Sequence, residues 1–210
     1  MYYKSIEHTL KNGKTVAIRS IRPEEGEALS AFLTKIYGQT RFMLRTSEDP
    51  VLSAEKATAL LDQIQANNTG VYLGAYVEGK LSGIASLYVA GENLHRVAHR
   101  CCLGMACDEA VWGQGIGSRL MEAMIDVAQR VGYEQMELEV LTDNDAAFHL
   151  YEKFGFKIFG TRPHAMKDSD GTYHDEHLMV KELTAKFEAE EKSTTDLEEW
   201  IEEQGIQLRY

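Results

Sequence analysis

The chain has 210 residues and a mass of 23.7 kDa, 44% of them hydrophobic and 26% charged, a composition that fits one folded domain and excludes a disordered or fibrous protein. A formal net charge of −11 and a pI near 5.1 argue against the basic face that nucleic acid or an anionic membrane surface requires, so neither is expected as a partner. No apolar run is long enough to span a bilayer and the N-terminal residues lack a signal-peptide core, so a cytoplasmic location is the expectation.

The predicted elements begin with residues 15–21, where Val16, Ile18 and Ser20 alternate with Ala17, Arg19 and Ile21, the period-two pattern of a strand. Pro23, Glu24 and Glu25 suit a first helical turn, and Ala28, Leu29, Phe32, Leu33 and Ile36 follow at helical spacing. A second helix is expected over residues 53–66. Residues 38–52 show no period and end in Asp49-Pro50, which predicts a loop placed to cover a binding site. Strands over 71–77 and 81–89, joined by Glu78-Gly79-Lys80, predict a β-hairpin, and residues 96–107 a third consecutive strand.

The pattern then becomes helical through Ile116, Leu120, Met124, Val127 and Val131. A strand through Met136, Leu138 and Val140 follows, then a helix over 144–154 and strands over 156–163 and 173–181. The order predicts a mixed α/β fold with an antiparallel first half and a β-α-β crossover. From residue 184 the composition turns to Glu and Lys, then Leu197, Trp200, Ile201, Ile206 and Leu208. This predicts a domain over 1–183 and a C-terminal helical extension over 184–210, with a homodimer arm as the sharper alternative.

Between the third strand and its helix, Gly113, Gly115 and Gly117 alternate in Trp112-Gly113-Gln114-Gly115-Ile116-Gly117. Unpaired amides at a helix N-terminus, backed by the helix dipole, suit a phosphate or pyrophosphate, although a structural turn accounts for such glycines equally. A dinucleotide fingerprint wants its third glycine at 118 or 120, where Ser118 and Leu120 stand, and the Gly-Lys-Ser/Thr of a Walker loop is missing. Glu137, about twenty residues on, keeps the dinucleotide alternative open.

With this turn the sequence resembles the GNAT superfamily of acyl-CoA N-acyltransferases, whose glycine signature is Arg/Gln-x-x-Gly-x-Gly/Ala. The segment Asn144-Asp145-Ala146-Ala147-Phe148-His149-Leu150-Tyr151-Glu152-Lys153-Phe154-Gly155-Phe156 matches the family's second signature at every fixed position, and the resemblance covers roughly residues 14–182. It implies a central, mostly antiparallel mixed sheet of 6–7 strands flanked by about four helices, with a splayed central strand pair. It also implies an acetyltransferase that uses acetyl-CoA as cosubstrate. Trp112, Gly113, Gln114, Gly115, Ile116 and Gly117 would then hold the pyrophosphate. Met105, Ala106 and Cys107 would pair with pantetheine, which Asn144 would also contact. Tyr151 would be the general acid. Helical spacing independently puts Asn144, Ala147 and Tyr151 on one face. Trp112 stands where the signature has Arg or Gln, and Cys102 where many related sequences have a glutamate.

Attack on a thioester needs a neutral amine, hence a base; Glu139, then His99, then Asp108 are the candidates. Cys102 or Cys107 as an acyl-carrying nucleophile is the ping-pong alternative, against the expectation that all three cysteines are reduced and structural. No metal is expected, because His95, His99, His149, His164, His174 and His177 are scattered. The acidic balance suits a small cationic amine or a peptide N-terminus as acceptor, shaped by loops 38–52 and 164–172. A catalytically silent acyl-CoA-binding or regulatory module of the same fold is the alternative function.

Overall fold

The computed structural model describes residues 2–67, 70–91 and 94–184. Strands β1 (Ile6–Thr9), β2 (Thr15–Ser20), β3 (Gly70–Val77), β4 (Lys80–Val89), β5 (Arg100–Cys107), β6 (Gln135–Leu141), β7 (Lys157–Lys167) and β8 (Tyr173–Glu182) form one sheet in the order β1-β2-β3-β4-β5-β6-β8-β7. Helices α1 (Gly26–Tyr37), α2 (Ala54–Asn67), α3 (Ile116–Val131) and α4 (Asp145–Lys153) complete the domain. The extension expected beyond residue 184 lies outside the described residues.

Side chains alternate across the sheet, so the central strands feed two cores. Val16, Ile18, Leu73, Ala85 and Leu87 pack under α3, while Ile21, Tyr76, Leu81 and Ile84 pack under α1 and α2. The β3–β4 turn needs two residues at positive φ, and Glu78 (φ 51°) and Gly79 (φ 78°) supply them. α3 ends on Gly132 at φ 90°, whose amide donates to the carbonyls of Ala128 and Gln129.

Every neighbouring pair is antiparallel except β5–β6, joined by the crossover through α3. Those two strands pair at Arg100, Cys101 and Cys102, opposite Gln135, Met136 and Glu137, and then diverge. The remaining length of β5 pairs with β4 alone, and that of β6 with β8. The splayed central pair implied by the resemblance is therefore present.

Eight strands replace the expected six or seven, because β1 was not legible: as an edge strand it has no buried face and hence no alternation to read. The strand expected from residue 96 starts at Arg100, since His95–Val97 forms a 3-10 turn. β7 continues past Pro163 to Lys167 through a register shift in which His164 takes φ 54°.

One ion pair fixes α1 against the sheet. The Arg19 guanidinium donates to both carboxylate oxygens of Glu25 at 2.7 and 2.8 Å and lies 3.7 Å from the centroid of the Tyr76 ring. Hydrogen bonding from Arg19 holds the Glu25 carboxyl at about 2, against an ordinary 4.5. A carboxyl lowered on folding adds stability that is complete above its unfolded pKa and is lost as pH falls through the folded one. Between pH 4.5 and about 2, urea midpoints of the wild type should fall more steeply than those of Glu25→Gln. The difference should be on the order of 2–3 kcal/mol of stability. Parallel curves would refute this role.

Candidate active site

The divergence of β5 and β6 opens a cavity of about 1020 Å³. Its walls are the edge of β5 from Cys102 to Cys107, the facing edge of β6 from Glu137 to Leu141, the glycine turn and the inner face of α4. The loop after α1 contributes Thr40, Phe42, Met43 and Leu44, and β7 contributes Phe159, Arg162, Ala165 and Met166. Backbone groups that lose their strand partner at the splay face this space, as extended main chain bound along a ligand requires.

At one end lies the glycine turn. Gly113 (φ 72°) and Gly115 (φ 97°) are left-handed, and a Cβ at either would meet nothing within 4 Å; the sign of φ, rather than crowding, selects glycine. Gly117 differs: its Cβ would stand 3.1 Å from Leu150 of α4, so it sets how closely the two helices approach. Gly115 caps α3, whose first amides have no acceptor within the helix. Trp112, 53% exposed, donates its indole N–H to the Cys107 carbonyl at 2.8 Å and lines the cavity. Gln114 alone of the predicted turn residues is not on the wall; its amide donates to the Ala110 carbonyl at 3.2 Å.

The start of the turn is anchored to α1. The Asp108 carboxylate, 4% exposed, takes an ion pair from Lys35 and hydrogen bonds from Gln39 and the Ala110 amide. Burial pulls this carboxyl up, but Lys35, the amide and Gln39 together outweigh it and hold it below the usual range. Asp108 is thus an ionised clamp outside the cavity. His99 is also away from it, at the paired end of β5, where its carbonyl accepts from the amides of Glu134 and Gln135.

α4 carries the second group. Asn144 caps it, accepting from the Ala147 amide at 3.3 Å, and Asn144, Ala147 and Tyr151 all line the cavity. Tyr151 is 8% exposed and packs on Phe156. Burial, then the neighbouring Cys107, pushes its phenol up to about 12. The thiols are no better disposed to ionise: burial takes Cys107 up to about 12 and also raises Cys102, which leaves both poor nucleophiles.

Carboxylates gather on β6 and β8. Arg162 ion-pairs Glu139 at 3.1 Å and also Glu176, its cross-strand partner on β8. Glu137 is held by Arg100 at 2.5 and 2.7 Å. Glu176, 3% exposed, is raised by burial and by the Glu139 charge, against the opposing pull of Arg162. Neither Glu176 nor Arg162 was legible beforehand. A lone acid and a lone base fourteen residues apart become a pair only through the β7–β8 register. The histidines do not converge: His174 engages Asp168 and Arg41, and His177 engages Thr161.

Comparison with known proteins gives a consistent picture. The acetyltransferase (GNAT) family matches residues 36–156. Among individual relatives, the L-amino acid N-acetyltransferase AaaT of Escherichia coli is 30% identical over 52% of the chain. The N-alpha-acetyltransferase RimI of Mycobacterium tuberculosis is 40% identical over 43% of it. The chain spans 66% of the first and 54% of the second. The crystal structure of an acetyltransferase of the GNAT family from Streptococcus pneumoniae superposes with a TM-score of 0.75 at 30% identity, over 80% of this chain and 99% of that one.

Proposed function

This chain belongs to the acetyltransferase (GNAT) family, and on that premise we propose that it transfers an acetyl group from acetyl-CoA to a primary amine by direct attack in a ternary complex. The observation that carries the proposal is the single cavity that joins the open amides of the glycine turn, the splayed edges of β5 and β6, Tyr151 and the Glu139–Arg162–Glu176 group. Met105, Ala106 and Cys107 offer extended backbone to the pantetheine arm, and Asn144 and Ala147 flank it.

In this mechanism the amine nitrogen forms a bond to the thioester carbonyl carbon as the carbon–sulfur bond breaks. Glu139, oriented by Arg162, takes the proton that the amine loses, and Tyr151 gives its proton to the departing thiolate. A phenol near 12 is fully protonated at neutral pH, as an acid must be before the reaction, and it remains a stronger donor than water.

The acceptor proposed is a small cationic amine or a peptide N-terminus. Two carboxylates share one guanidinium at that end of the cavity, which leaves a net negative charge to attract a cation. The names of two relatives, an L-amino acid N-acetyltransferase and an N-alpha-acetyltransferase, support an α-amino group as the acceptor nitrogen. The apolar side chains of Phe42, Met43, Leu44, Phe159 and Met166 would enclose the body of the acceptor.

The test is calorimetric titration with acetyl-CoA, followed by thiol release over a panel of amines and N-terminal peptides, in wild type and Glu139→Gln. Binding with amine-dependent release, reduced roughly 10²-fold in Glu139→Gln, is expected. Binding without release on any acceptor would favour the silent acyl-CoA-binding module, a reading that Cys102 supports by offering no carboxylate on β5. Wild-type turnover in Glu139→Gln would remove the base assignment.

A further inference from the structure

We propose that Lys11, in the turn between β1 and β2, is a phosphate-binding residue of the acetyl-CoA site. The inference rests on the acetyl-CoA reading and adds to it a residue more than a hundred positions away from the glycine turn in sequence. Lys11 lies on the wall of the same cavity as Trp112, Gly113, Gly115 and Ser118.

The placement is built rather than incidental. Residues 10–14 form a tight turn: the Leu10 amide donates to the Lys14 carbonyl at 2.8 Å, the Gly13 amide to the Leu10 carbonyl at 3.0 Å, and Gly13 takes φ 81°. Leu10 is 5% exposed and roots the turn in the core beneath α3. The next residue, Asn12, donates its side-chain amide to the Gln114 side chain at 2.7 Å, and Gln114 in turn holds the Ala110 carbonyl. This bridge fastens the β1–β2 turn to the glycine turn and explains why Gln114 faces away from the cavity.

Charge gives the placement its meaning. The phosphates of CoA carry several negative charges, whereas the chain carries −11, and Asp108 and Glu109 lead into the turn itself. Backbone amides offer hydrogen bonds but no net charge, and Trp112 supplies none. Among the described residues, two cations line the cavity, Lys11 and Arg162. Arg162 is engaged by two carboxylates at the opposite end. Nearby, Lys14 is paired with Glu78 and Arg119 with Glu122. Lys11 makes no ion pair among the described residues, so of the two cations on the wall it is the one whose ammonium is available to an anion. An ammonium on a flexible stem binds phosphate as a point charge and tolerates either the pyrophosphate or the 3′-phosphate.

The experiment measures Kd for acetyl-CoA and for its 3′-dephospho form, by calorimetry at low and high salt, with wild type, Lys11→Ala and Lys11→Glu. Lys11 is exposed on a turn, so all three proteins should melt alike. Lys11→Ala should weaken acetyl-CoA binding about tenfold and Lys11→Glu further, with a shallower salt dependence in Lys11→Ala. If Lys11→Ala weakens both ligands equally, the contact is to the pyrophosphate; if it affects only the 3′-phosphorylated ligand, the contact is to the 3′-phosphate. Either result supports the proposal. Wild-type affinity in both variants would overturn it while leaving the acetyl-CoA reading intact, whereas no binding by the wild type would overturn that reading and the proposal together.

Discussion

Replacing Gly115 by glutamate should abolish acetyl-CoA binding in a protein that still folds. Gly115 caps α3 at φ 97°, and a Cβ there would meet nothing within 4 Å, so a side chain has room in the free protein. The cost to folding is that of one L-residue in a left-handed conformation, roughly 1–2 kcal/mol. The carboxylate would stand where the first amides of α3 converge and where the helix dipole favours an anion. A like charge about 4 Å from a phosphate costs ~4 kcal/mol at the effective dielectric of a protein surface, a loss of roughly 10³-fold in affinity. Gly115→Ala separates the two effects, because it carries the backbone strain without the charge and should bind within about tenfold of wild type. Calorimetry on both variants decides the matter. Retained affinity in folded Gly115→Glu would mean that the turn does not hold the phosphates.

Tyr151→Phe should lower kcat by about 10²–10³-fold while changing acetyl-CoA affinity by less than about threefold. The ring is 8% exposed and packs on Phe156, and phenylalanine keeps that packing, so stability should be nearly unchanged. What is lost is one hydroxyl on the cavity wall, beside Cys107, and with it, under the proposed mechanism, the proton for the leaving thiolate. Because burial sets the phenol at about 12, the acid form persists throughout the alkaline range of an ordinary assay. No falling limb of kcat below about pH 10 should therefore trace to Tyr151. Single-turnover rates with saturating acetyl-CoA would read the effect directly. Wild-type kcat in the variant would show that solvent protonates the thiolate and that Tyr151 is a packing residue.

The parts of the molecule that could be read beforehand are those where local pattern and tertiary role coincide. α3 shows its buried stripe as Ile116, Leu120, Met124 and Val127 in helical register, and all four are buried. The β3–β4 hairpin was legible because Glu78-Gly79 is the two-residue turn that a twisted strand pair requires. β1 was not, because its partner lies on one side only and neither face is covered. That omission hid Lys11 as well: with no strand before residue 15, nothing placed the β1–β2 turn against the glycine turn.

The base candidates divide in the same way. Glu139, His99 and Asp108 stood in that order of preference in the sequence, each a titratable residue near the central strands. Strand register puts Glu139 on the cavity wall and His99 at the closed end, and Lys35 of α1 takes up Asp108. Glu176 was indistinguishable from any other acid on a strand until β7 set Arg162 opposite it.

By itself, the sequence determined the order and type of most elements, the glycine turn before α3, and the helical face shared by Asn144, Ala147 and Tyr151. These depend on side-chain period and backbone φ, which neighbours within a few residues fix. Tertiary structure alone decided where the cavity lies, which carboxylates face it and which cations remain free near it. Those depend on where β5 and β6 stop pairing and on which distant charge each group meets, and ion pairing between strands is set by register in space rather than by distance along the chain.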